Sequence, residues 1–508
     1  MTPIAPESST DSFTPTRRLP LRQLAGCAAL LTLLLVLHGA TGRLNLVTVP
    51  DSPSYLEYPF DELPAALSQQ RPPGYPLMLR LVAATCGLAW LPLVQLLLHA
   101  AASAWLIHEL GRWGTPPLAR WTAGLAIALG CTAWDNIAML ATDAPAASLG
   151  VMTAVALLRW ARLDGRKRDA LPVALLALTA IAMRPAYLFL IPWVGLAGIL
   201  LLYLRRRPAH DAALVRDTAS GNADFGDPLG GVPDEGSMGR GRGNGGSQRV
   251  RPRIDWRLVS AASWAVLGIV LPLVAWIALR GWVVGDPRLL PFGHQSLVGL
   301  TIQWVSDEEL LDTHEPIRRL AEEILIERDR YLESGGRFAD GAPGATMTIE
   351  ARWDDYVWYV VVPAAERLHP GDPIASHNAI RQLNRELIRR YPLRYVRWLL
   401  LASRRAAWGI AANAVMHPPF LLAIGLLIAC ELYRILAGYP PPTSRADAGL
   451  DALLVIAISY TALKVALVIA TSPPLGRFAD AAAIFLPAWL AAVGVLRIAR
   501  MGRDAPSG

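Results

Sequence analysis

The chain has 508 residues, of which 53% are hydrophobic and 18% charged, and its mean hydropathy is +0.34. That is too apolar and too unevenly patterned for a soluble domain, and it points to a polytopic membrane protein. The net charge of +7 comes almost wholly from arginine, with Lys167 and Lys464 the two lysines. The arginines cluster at the ends of apolar runs, so the basic balance reads as membrane topology and not as a nucleic-acid surface. Cys27, Cys86, Cys131 and Cys430 lie in apolar segments without metal spacing and read as packed free thiols.

Residues 1–20 are polar and read as a cytoplasmic tail, followed by an uncleaved apolar anchor at 21–40. Residues 41–87 form a loop with two expected interfacial helices, at 52–69 and 75–85. Membrane-length runs follow at 88–110, 117–134, 144–161, 170–184 and 187–204. The stretch 205–256, rich in Gly, Asp and Arg, has too little apolar content for a core and reads as a flexible cytoplasmic linker. A span at 257–279, a soluble-type insert at 280–415, spans at 416–437, 450–471 and 478–498, and a tail at 499–508 complete the chain. The expected fold is an all-α polytopic membrane protein with about ten transmembrane helices, interfacial loop helices and a mainly helical outer-face insert.

Loop charges orient this map. With the N-terminus inside, the inner loops carry Arg112, Arg120, Arg159, Arg162, Arg166, Lys167, Arg168, the Arg-rich linker, Arg434 and Arg445, while the turn at 135–143 has no Lys or Arg. This positive-inside asymmetry predicts cytoplasmic termini, and it sets Asp51, Asp143, Arg184, the 280–415 insert and Arg477 on one outer face. Within the insert, 310–332 has helical periodicity, and Trp353, Tyr356, Trp358 and Tyr359 form an aromatic cluster. The run 395–410 is interrupted by Arg404 and Arg405, so it is expected to lie in the interface with Trp398 and Trp408 at headgroup depth.

Three groups of residues suggest chemistry. Asp51, just beyond the first apolar run, is placed to act as a general base on an acceptor hydroxyl; its bland alternative is a helix N-cap. Asp143, in Thr142-Asp143-Ala-Pro145, is placed to orient an acceptor or hold a divalent cation such as Mg or Mn, with helix capping again the alternative. Arg184 and Arg477 lie at outer span ends and Lys464 lies inside an apolar run, where a cation is costly unless it pairs or faces a cavity. Such cations suit a lipid-linked phosphate and its departure. Snorkelling to the headgroups is their alternative role.

Five segments carry a resemblance: Asp51-Ser-Pro-Ser-Tyr55, Arg71-Pro-Pro-Gly-Tyr-Pro76, Thr142-Asp-Ala-Pro145, Met183-Arg-Pro-Ala-Tyr187 and Arg477-Phe-Ala-Asp480. In order and placement the chain resembles the GT-C glycosyltransferases, closest to bacterial members related to protein mannosyltransferases and aminoarabinose transferases. The likeness covers 21–204 and 416–498 and leaves the linker without a counterpart. It implies inverting transfer of a sugar from a polyprenyl-phosphate donor to a lipid, glycan or protein acceptor at the outer face of a bacterial cytoplasmic membrane. Asp51 then matches the catalytic base and Asp143 a second acidic position, while Tyr55, Arg71 and Tyr75 match the substrate-binding loop. Where many relatives have two adjacent acidic residues this chain has Asp51-Ser52, and where many have Lys-Pro-Pro it has Arg71-Pro-Pro. The alternatives are a secondary transporter or lipid flippase, against which stand the lack of an inverted repeat and of paired broken helices, and a non-catalytic protein of the same fold.

Overall fold

The computed structural model describes residues 21–221, 256–290, 293–342, 344–416, 418–436 and 447–501. Their regular structure is helical, apart from an isolated parallel bridge between Val47 and Met139. Five helices among them are long and apolar enough to cross a membrane: Leu88–Arg112, Asp143–Arg162, Pro185–Arg206, Leu258–Val284 and Ala448–Thr471. Shorter apolar helices are Leu24–Ala40, Ile424–Tyr433 and Leu486–Ala499. The expected run 117–134 divides at Leu129 and Gly130 into Pro117–Ala128 and Cys131–Asn136, and 478–498 divides into Gly476–Ala482 and Leu486–Met501. The expected tail 1–20, the linker from 222 to 255 and residues 502–508 lie outside the described residues. The helix from Leu190 runs on to Gly221, past the expected linker boundary at 205.

Helix Asp143–Arg162 is the hub, with 89% of its apolar window buried. It presents alanines at 144, 146, 147, 154, 156 and 161, and small side chains let neighbouring helices approach where lipid supplies no hydrophobic drive. Neighbours come close at Gly150, where an added Cβ would stand 2.4 Å from the Tyr460 hydroxyl and 2.8 Å from the Tyr187 ring. At one end of the bundle Arg162 grips Glu109 through two hydrogen bonds, and the Thr115 hydroxyl reaches Asp447 at 3.4 Å. At the other end, the start of Asp143–Arg162 and the end of Ala448–Thr471 meet the 41–87 loop and the insert. We refer to this end as the insert face.

The insert has its own core, in which Val298, Leu320, Ile324, Trp353, Val357, Ile380 and Leu387 are buried together. Helix Pro392–Met416 joins that core through Trp398, Ala402 and Ala406. The Trp398 indole donates to the Ile469 carbonyl at 2.8 Å and the Tyr395 hydroxyl to that of Ala470 at 2.9 Å, satisfying carbonyls that the last turn of Ala448–Thr471 leaves open. Trp398 is therefore 2% exposed and packed in protein instead of sitting among headgroups; Trp408 is the exposed one. The expected 310–332 helix is two helices, Asp307–Leu311, opened by a capping box between Ser306 and Glu309, and Ile317–Glu333. The loop helix expected at 52–69 is likewise two, Ser52–Leu56 and Leu63–Ser68, while Gly74–Thr85 forms nearly as expected.

Candidate functional site

Asp51 is positioned by stitching between two loops. Val47 N–H donates to Ala138 and Leu140 N–H donates back to Val47, each at 2.8 Å. The Ser52 hydroxyl accepts from Val49 N–H at 2.8 Å and donates to the Leu140 carbonyl at 3.0 Å. From below, the buried Gln95 amide donates to Ile137 and Met139 carbonyls at 2.9 and 3.0 Å. These bonds fix the first loop on the turn that leads into Asp143.

Asp51 precedes helix Ser52–Leu56, but its side chain makes no capping hydrogen bond. The carboxylate instead accepts from Arg71 Nη2 at 2.7 Å. Arg71 Nε donates to the Ser54 hydroxyl at 3.1 Å, and the guanidinium lies 5.1 Å from the Tyr55 ring centroid. Burial raises the Tyr55 pKa, against the pull of Arg71, so its phenol stays protonated at neutral pH. Tyr55 meets Tyr75 edge-to-face at 5.0 Å. Tyr75 departs from the substrate-binding role expected of it: at 0% exposed it backs Tyr55 and does not line the cleft. Its neighbour Gly74 permits the approach that sets Arg71 in place, since a Cβ there would stand 2.5 Å from the Ala182 carbonyl oxygen.

The second acidic residue is also held by an arginine. Asp143 opens its helix and forms an ion pair with Arg184, and the side chain of Thr142 before it makes no cap bond. Arg184 stands in the break between Lys167–Met183 and the turn Pro185–Tyr187, extended at φ −151° and ψ 119° as a residue before proline prefers. Its guanidinium also approaches the Thr142 hydroxyl at 3.5 Å and the Phe478 ring at 5.3 Å. Lys464 is 2% exposed, and its Nζ donates to the Tyr187 hydroxyl at 3.1 Å. Among the described residues no carboxylate comes within ion-pair distance of that ammonium. Arg477 lies in helix Gly476–Ala482, and its side chain is outside the described residues.

Asp51, Tyr55, Arg71, Asp143 and Arg184 thus share one cleft of about 270 Å³. Lys464 and Tyr187 line a void of about 10 Å³ beneath it, together with Asp143 and Arg184. The opposite wall comes from the insert, through Gly293, Ser296, Trp353 and Trp358. In sequence the two tryptophans read as members of an aromatic cluster with no part in the site. Five residues along an α-helix turn by about 140° modulo a full turn, which separates the two side chains. Trp353 lies in the helix Thr346–Asp355 and Trp358 in the π-helical turn Tyr356–Val361 that follows it, and both reach the cleft wall. Trp353 is then locked by its indole N–H donating to the Ser296 carbonyl at 2.8 Å, and Trp358 is left 38% exposed.

No protein-family model, curated protein or solved structure matches this chain. Among the described residues no three His, Cys, Asp or Glu side chains gather as metal ligands, and both cleft carboxylates are already engaged by guanidinium groups.

Proposed function

We propose that the chain is a membrane glycosyltransferase of the GT-C type. In this reading it spans the membrane about ten times, with the three shorter apolar helices and also Pro117–Ala128 and Lys167–Met183 crossing, and the insert face outward. It transfers a sugar from a polyprenyl-phosphate donor to a lipid, glycan or protein acceptor. One observation carries the reading: two carboxylates and two arginines line a single cleft at the ends of apolar helices, with a buried lysine directly beneath.

Asp51, the more accessible acid at 39% side-chain exposure, takes the proton of the acceptor hydroxyl. The hydroxyl oxygen forms a bond to the anomeric carbon as the bond from that carbon to the phosphate oxygen breaks, with inversion. The electron pair leaves with the polyprenyl phosphate. Arg184 and Lys464 face the charge that develops there, in a setting screened from water where such groups act strongly. Asp143 holds Arg184 in place, and a guanidinium with five N–H donors can serve its carboxylate and a phosphate together.

The test is incubation of the purified protein with polyprenyl-phosphate sugars, reading released polyprenyl phosphate. Asp51→Asn should abolish release while the protein inserts and folds normally; full activity in that variant overturns the assignment. Movement of intact donor across a bilayer without cleavage would make the protein a flippase or transporter instead.

A further inference from the structure

A second group of charges lies on the insert face outside the cleft lining. Arg280, in the last turns of the span Leu258–Val284, is 0% exposed although only 17% of that span's apolar window is covered. Its Nη2 donates to Asp286 at 2.7 Å and its Nη1 to the Leu289 carbonyl at 3.2 Å. Asp286 is also paired with Arg288, so one carboxylate answers two guanidinium groups. Helix Pro373–Arg390 adds Arg381, whose side chain makes no hydrogen bond or ion pair among the described residues.

Buried N–H groups are left over. Arg280 Nε, Arg288 Nη1 and Arg381 Nε are each shut away from solvent without a hydrogen-bond partner. Two histidines register the same field. Burial first, then the neighbouring Arg381 and Arg288, push His294 down to about 4, and burial followed by Arg288 does the same to His377. Both are neutral at pH 7, so they neither relieve nor add to the excess of Arg280, Arg288 and Arg381 over Asp286, to which Arg385 beside His294 adds a further positive charge. Buried positive charge with unanswered donors is costly until an anion meets it, and the planar guanidinium fork matches phosphate oxygens.

We propose that Arg280, Arg288 and Arg381 form a binding site for a phosphate group at the membrane surface on the insert face. Arg280 lies one helical turn from the end of its span, which is headgroup depth for a lipid phosphate. The site stands apart from the proposed transfer reaction, since none of its three arginines lines the cleft. It touches the cleft's architecture through helix His294–Thr301, which begins at His294 and places Ser296 on the cleft wall.

The test uses the full chain purified in neutral detergent. Its thermal unfolding midpoint is followed at fixed ionic strength while inorganic phosphate, phosphatidylglycerol or phosphatidylcholine is titrated. A saturable rise with inorganic phosphate identifies a soluble phosphate ligand; a rise with phosphatidylglycerol alone identifies an anionic lipid headgroup. In either case Arg288→Gln/Arg381→Gln should weaken the response about tenfold or more. Arg381→Gln alone, which removes no bond within the protein, should weaken it severalfold and covers the case where the double variant fails to fold. No response of the wild type to either anion, an equal response in the variants, or an equal response to phosphatidylcholine overturns the proposal.

Discussion

Arg71 and Asp51, twenty residues apart in sequence, are joined at 2.7 Å, so the acid proposed as base is held by a side chain from the other end of its own loop. The same arginine spans Ser54 and Tyr55, which fixes its plane as well as its charge. Arg71→Lys keeps the charge and loses the planar fork. The expected result is a fall in transfer rate of roughly 100-fold from misplacement of the carboxylate, with little change in thermal stability. Steady-state assay of polyprenyl phosphate release beside a melting curve checks it, and an unchanged rate would mean the pair has no positioning role.

Lys464 separates catalysis from stability. It is buried, bonds Tyr187 and, among the described residues, has no carboxylate partner. Replacing such a group by an apolar residue of similar length usually costs little stability. Lys464→Met should therefore melt within about 1 kcal/mol of wild type while losing at least roughly 100-fold in transfer. A variant that stays active would remove the lysine from the proposed phosphate contacts.

Docking of the insert depends on two hydrogen bonds to the end of Ala448–Thr471. Trp398→Phe or Tyr395→Phe leaves the Ile469 or Ala470 carbonyl without its donor. Each should cost about 1–3 kcal/mol, Trp398 the more because its site is dry. Denaturation in detergent followed by circular dichroism measures this, and no loss in either variant would show that water replaces the bond.

Glu309 supplies a pH signature for the insert. Hydrogen bonds from Arg394, then from Ser306, hold its carboxyl at about 2, below its ordinary value of 4.5. Because the folded value is depressed, its contribution is fully present above about 4.5 and is lost as pH falls towards 2. The difference in melting midpoint between wild type and Glu309→Gln should be constant from pH 5 upward and shrink below that. A difference that grows on acidification would reverse the assigned sign.

Much of the candidate site was legible before folding. Asp51, Asp143 and Arg184 each sit at the edge of an apolar run, where charge is affordable, and Lys464 inside a run is conspicuous for its cost. The structure sets the first three in one cleft and the lysine just under it. For Asp51 the alternative of a helix cap is absent, because its carboxylate turns to Arg71; Asp143 does stand in the first turn of its helix, as its alternative has it, while its carboxylate pairs with Arg184 from a distant segment. Tyr75 was misplaced for a similar reason: its position in the turn gives no sign that Tyr55 would stand between it and the cleft.

By itself the sequence determined the all-α, membrane-type character of the chain and the set of charged residues at helix ends. Hydropathy and charge are local properties, read directly along the chain. The tertiary structure alone decided which arginine holds which acid, that Gly74 lets the Ala182 backbone and Gly150 the Tyr187 and Tyr460 side chains close around the site, and that the insert supplies Trp353 and Trp358 as the opposite wall. Those relationships join residues distant in sequence and are set by packing, which no local window of sequence contains.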